Sequence, residues 1–121
     1  MADDYQDYGW EAHLQEWEEL SGWLLQSLGD FFIAYGELER AHTALVASLV
    51  GPEMADELRQ IKRQRNILAH DLTGQTEDHN DHPALHAGSR RITVEELAAL
   101  VAKCGELRDR LTALRQDHPL G

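Results

Sequence analysis

The feature that most restricts the fold of this chain is a series of seam positions advancing by alternating steps of four and three. Trp10, Leu14, Trp17, Ser21, Leu24 and Leu28 keep that rhythm, and Phe31, Tyr35, Leu38, His42, Leu45 and Leu49 resume it. Such spacing aligns residues along one face of an α-helix. No stretch alternates with period two for long enough to suggest a sheet. The rhythm predicts an all-α chain.

Punctuation divides the rhythm into elements. Gly29-Asp30 reads as a break, with Asp30 as the N-cap of a second helix. Gly51-Pro52 reads as a stop followed by a start, because glycine suits a helix end and proline a first turn. A third helix runs from about Pro52 to about Asp71. The following "LTGQTEDHNDHPALHAGSRR" has no clear period and many turn formers, so it reads as one long loop. Thr93 to Glu96, "TVEE", has the form of a capping box. Leu97, Leu100, Cys104, Leu107, Leu111 and Leu114 then give a fourth helix its apolar face. Helices of roughly 18–24 residues with two short connections predict an antiparallel four-helix bundle, with one long loop between helices three and four. Residues 1–9 read as an acidic flexible arm, and residues 10–121 as the bundle domain.

A chain of 121 residues suffices for one domain with a modest core. Its net charge of -11 argues against nucleic acid only if the charge is spread evenly, and it is not. Residues 1–39 hold ten Asp and Glu and no Lys or Arg, whereas from residue 40 twelve acids face eleven bases. The densest basic cluster is Arg59, Lys62, Arg63 and Arg65. The opening "MADDYQDYGW" lacks the basic and apolar regions of a signal peptide. No apolar run reaches the ~20 residues of a membrane span, and one cysteine, Cys104, fits a reducing compartment. These features predict a soluble, cytoplasmic protein.

The third helix carries two stripes. Met54, Leu58, Ile61, Arg65, Leu68 and Leu72 form the seam, in which Arg65 is the polar exception. An unpartnered buried guanidinium costs several kcal/mol. Arg65 therefore snorkels to the bundle end, pairs with an acid such as Glu39, or opens onto a cleft. Beside the seam, Arg59, Arg63, Asn66 and His70 share one face, flanked by Gln60 and Lys62. That face reads either as a solvated surface or as a site. Histidine at a helix C-terminus meets carbonyls that interact favourably with imidazolium, and imidazole exchanges protons near neutral pH. Arg65 and His70 are five residues apart, about 140° round the axis and about 7.5 Å along it. They converge on one phosphate only if the arginine reaches round, or if two copies of the helix meet across a dimer.

Arg65-Asn66-Ile67-Leu68-Ala69-His70 resembles the signature of the HEPN superfamily: arginine, a polar residue that is often asparagine, three mostly apolar residues, and histidine. The surrounding "IKRQRNILAHD" is similar to the HEPN form of this segment. "FFIAYGELERAHTALVASL", with aromatics ahead of Leu38-Glu39, is similar to an early helix of several HEPN families. The likeness covers about residues 30–72. It implies metal-independent RNA cleavage leaving a 2′,3′-cyclic phosphate and a 5′-hydroxyl, with no cofactor. Under it, His70 transfers the proton, Arg65 holds the scissile phosphate, and Asn66 positions either. Arg59, Lys62 and Arg63 attract the RNA backbone, and Glu39 supports the site from behind. The likeness also implies a homodimer with a composite cleft, a toxin or defence role, and a possible cognate antitoxin as partner.

Other positions are assigned to packing or surface. His79, His82 and His86, with Asp78 and Asp81, carry metal-ligating groups. Pro83 interrupts them and their spacings match no named zinc motif, so they read as a polar loop. Cys104 and His42 fall on seams and read as core, His42 with a satisfied ring. Trp10, Trp17 and Trp23 read as packing in the core or at a dimer contact. The competing function is a non-catalytic acidic helical dimer that serves as an interaction or regulatory module.

Overall fold

In a computed structural model, which describes residues 2–45, 47–77 and 82–117 and the side chains from residue 14 onward, the first seam passes through Gly29 and Asp30 without a break. Helix α1 (Ala2–Thr43) is 42 residues long and replaces the two helices expected there. It takes in residues 2–9. The reason lies in the phase. Leu28 to Phe31 is itself a step of three, so Leu24, Leu28, Phe31, Tyr35 and Leu38 form one apolar line. Gly29 and Asp30 sit on the exposed side of the helix. A glycine inside a helix costs about 1 kcal/mol relative to alanine, whereas each Leu or Phe fully buried along the line gains about 1.5–3 kcal/mol. Burial outweighs the break.

Helix α2 (Pro52–His70) starts where the sequence places it, with proline in its first turn after Gly51. Helix α3 (Val94–Asp117) also starts as expected. The Glu96 backbone N–H donates to Thr93 Oγ1 at 3.2 Å, and the Thr93 hydroxyl lies 3.4 Å from Glu96 Oε1. Between α1 and α2 the chain makes a short 3-10 turn, Ala47–Leu49.

The four-helix bundle is overturned on a second count. The expected long loop holds a three-stranded antiparallel sheet: β1 (Leu72–Glu77), β2 (Pro83–Ala87) and β3 (Arg90–Ile92), in the order β1-β2-β3. The fold is three helices with a small sheet. Gln75 faces Leu85, and Leu85 faces Ile92. Only Leu85, Ala87 and Ile92 of these strands enter the main core, so three to six residues per strand offer too short a pattern to read by period. β1 is exposed along nearly its whole length and owes its form to pairing with β2. The hairpin between β2 and β3 turns on Gly88-Ser89, and Gly88 adopts φ 62°. Tight two-residue hairpins need a positive φ of this kind, which glycine adopts without steric cost.

The layers meet in one core. α1 and α3 make the main helix–helix contact, and β2 packs on α1. Phe31, Leu24, Leu38, Leu85, Ile92, Leu97, Leu107 and Leu111 are all essentially sealed from solvent. α2 is held at its edge by Met54, Leu58, Ile61 and Leu68 and by polar ties. Lys103 and Arg110 of α3 each reach Glu57 at 2.9 Å, and Arg90 reaches Gln64 at 2.6 Å. No helix among the described residues is long and apolar enough to cross a membrane. The side chain of Trp10 lies outside the described residues, Trp17 is half-buried, and Trp23 stands 62% exposed, outside the core of the chain.

Candidate functional site

The outer face of α2 follows from its sequence period. With Met54, Leu58, Ile61 and Leu68 turned inward, Arg59, Lys62, Arg63, Asn66 and His70 must point away from the core. They do not lie on a flat surface. Arg59, Lys62, Arg63, Asn66 and His70, with Ile67 and Asp71, line an open groove of about 450 Å³. His70 is the last residue of the helix, and Asp71 caps it by donating its backbone N–H to the Ile67 carbonyl at 2.8 Å. The Asp71 carbonyl accepts from the Gly88 backbone N–H at 2.9 Å. The helix end that carries His70 is thereby tied to the tip of the second hairpin.

Arg65 goes elsewhere. Its guanidinium carbon lies 5.0 Å from the centre of the Tyr35 ring, in the geometry of a cation–π contact. Arg65 is half-buried, and none of the ion pairs among the described residues includes it. The polar exception in the seam is therefore accommodated by an aromatic face rather than by a carboxylate. Tyr35 is 9% exposed. Burial raises its hydroxyl above the usual tyrosine range, the Arg65 side chain opposes that rise, and Glu39 reinforces it. Residue types alone give Tyr35 no role beyond the core. Its seam position on α1, matching that of Arg65 on α2, is the signal that identifies it.

The structure thus groups Asn66 and His70 with the three cations Arg59, Lys62 and Arg63, and sets Arg65 and Glu39 apart with Tyr35. The groove that His70 lines does not include Arg65. Arg63 is an arginine that does line the groove with His70. Arg59 is partly engaged by Asp56, at 3.4 Å, with both side chains mostly exposed. Such a pair is worth little and leaves the guanidinium available.

A second cavity, about 500 Å³, adjoins the first through Arg59 and Lys62, which line both. It runs between the C-terminal end of α1 and the first half of α2, lined by Tyr35, Leu38, Glu39, His42, Thr43, Ala55 and Leu58. His42 is exposed here and is not a core histidine. Arg59 and Lys62 thus stand between two grooves, with His70 on one and Glu39 and His42 on the other.

Cys104 is fully buried, and burial pushes its thiol up to about 11, which suits packing and not nucleophilic attack. Asp78, His79 and Asp81 lie outside the described residues. His86 Nδ1 is 3.0 Å from Thr73 Oγ1, on the outer face of the sheet. Among the described residues no group of three His, Cys, Asp or Glu side chains is placed to share a metal ion. In comparisons with known proteins, no family model, no curated protein and no solved structure matches the chain.

Proposed function

We propose that the chain is a metal-independent RNA endonuclease that uses the groove on α2. The observation that carries this reading is the convergence of one imidazole, one amide and three cationic side chains on a single open groove. The HEPN-like order of Arg65, Asn66 and His70 supports it. Cations there neutralise backbone phosphates, and a ribose 2′-hydroxyl beside His70 has a proton acceptor within its reach.

The reaction is a transesterification. The 2′-oxygen attacks the adjacent phosphorus, its proton passes to the His70 ring, and the P–O5′ bond breaks. The products are a 2′,3′-cyclic phosphate and a 5′-hydroxyl end. The leaving 5′-oxygen also needs a proton, and each groove holds one imidazole. His70 of a second copy, placed across the scissile bond, supplies it in a homodimer. Arg63 holds the phosphate from within the same groove, and Arg65 joins it where the two copies complete each other's site. Electrostatic clamping of this kind accounts for a large part of phosphoryl chemistry without metals.

A second reading has its own observation. Trp23, Leu25 and Ile33 of α1 are 62%, 53% and 65% exposed, and Leu25 and Ile33, about 80° apart round the helix, leave apolar side chains open to contact with another protein. The test separates the two. Purified protein is incubated with RNA in EDTA, beside the His70→Ala variant, and the ends are analysed. Cyclic phosphate ends produced by the wild type alone are expected. Intact RNA with the wild type, or equal cleavage by the variant, favours the interaction module.

A further inference from the structure

The second cavity presents chemistry that the cleavage reaction does not use. Its floor is apolar, made by Leu38, Ala55 and Leu58, and its wall carries the Glu39 carboxylate. None of the ion pairs among the described residues includes Glu39, which lies beside the Tyr35 hydroxyl. A carboxylate repels phosphate, so the backbone of a bound strand stays with Arg59 and Lys62 on the shared rim. What fits below that rim is flat, largely apolar and equipped with hydrogen-bond donors. A nucleobase meets all three conditions, and a cavity of about 500 Å³ has room for a purine.

Resting on the RNA reading above, we propose that this cavity is a nucleobase subsite that selects guanine through Glu39. An ionised carboxylate only accepts hydrogen bonds. Guanine offers two adjacent donors on its Watson–Crick edge, N1–H and the N2 amino group, matching the two carboxylate oxygens. Adenine and cytosine place a ring acceptor next to their amino group, which sets a lone pair against one oxygen. Uracil places its one N–H between two carbonyls. Single-stranded RNA is read in this way, by splayed bases bonded along their edges. About ten residues of α2 separate Asn66 and His70 from Ala55 and Leu58, or about 15 Å at 1.5 Å per residue. A single strand crosses that span in a few nucleotides, so the guanine sits at a fixed distance from the cleaved bond.

The test uses strands that cannot be cut. Fluorescein-labelled 2′-O-methyl oligouridines carry one guanine, or one adenine, at each position in turn, and binding is read by anisotropy. Guanine is expected to bind about tenfold or more tighter than adenine in one register, the size of a bidentate base contact. In Glu39→Gln, checked for fold by circular dichroism, that ratio falls to about one, because an amide offers one acceptor and one donor group. A flat guanine-to-adenine profile with measurable binding overturns the subsite and leaves the RNA reading standing. Persistence of the full ratio in Glu39→Gln overturns it too. Absence of binding by every strand overturns both readings. Guanine preference in a protein that cuts nothing sustains the subsite and removes only the cleavage reaction.

Discussion

Arg63 and Arg65 stand two residues apart on α2 and meet opposite surroundings. Arg63 opens into the groove with Asn66 and His70, while Arg65 is turned onto the ring of Tyr35 and half-buried. The helix period alone separates their faces by about 200°. One face was formed by burial, and its arginine had to find a partner that tolerates desolvation. The other face was left to solvent, where cations keep their hydration and their freedom to meet a ligand. Charge on the same helix thus meets an aromatic ring on one side and an open groove on the other.

Neighbouring substitutions on the two faces should break cleanly in different measurements. His70→Ala should lower RNA cleavage by ~10²–10⁴-fold, the usual share of a general acid–base group, with no change in the unfolding midpoint. Leu68→Ala, two residues away and 1% exposed, should cost about 2–5 kcal/mol in urea unfolding. A stability loss in His70→Ala as large as that in Leu68→Ala would merge the two faces and sink the distinction.

Cys104 extends the comparison to the seam of α3. Its folded thiol titrates near 11, above its ordinary 9.0, because burial disfavours the thiolate. Above that ordinary value the unfolded chain binds fewer protons than the folded one. Stability should therefore fall as pH rises from about 9 to about 11, by roughly 2–3 kcal/mol in all. Equilibrium unfolding of wild type and Cys104→Ala across this range checks it, since the variant should lack that part of the decline.

Arg65→Ala sharpens the contrast with Arg63 directly. Loss of the cation–π contact should cost about 0.5–2 kcal/mol, and the Tyr35 hydroxyl should titrate higher still, because Arg65 opposes its rise. Arg63→Ala should leave Tyr35 unmoved. Ultraviolet titration of the phenolate distinguishes them. The smallest effect belongs to Glu57, whose carboxyl is held below its usual range by Lys103 and then Arg110. Its stabilising contribution is present above the ordinary carboxylate pKa and disappears as pH falls through the lowered value. Glu57→Gln should flatten that acid limb slightly, and high salt should shrink the difference, as for any exposed ion pair.

The two halves of the α2 site differ in how far residue order foretells them. The cationic stripe depends on local spacing alone, so Arg59, Arg63, Asn66 and His70 fall on one face whatever packs around the helix. That Lys62 joins them in a groove, and that Arg65 does not, depends on what α1 sets opposite. The break at Gly29-Asp30 shows the same limit from another side. Glycine and aspartate are stop signals only when the apolar phase also ends, and here Leu28 and Phe31 carry it across. The sheet hides for a third reason. Strands of three to six residues, with one face on the helices, show little periodicity. Gly88-Ser89 between "PALHA" and "RRI" was its legible trace.

What the amino-acid order determined by itself is the local physics: helical faces, the capping box at Thr93, the start at Pro52, and the row of cations and imidazole on α2. These depend on neighbours within about one turn of helix. What only the tertiary structure decided is which of those rows faces what. Arg65 lies on Tyr35, His42 is in the open, and Glu39 lines a cavity beside the cationic groove because α1 and α2 pack together, at contacts far apart in the chain. Long-range packing selects among faces that local spacing merely offers.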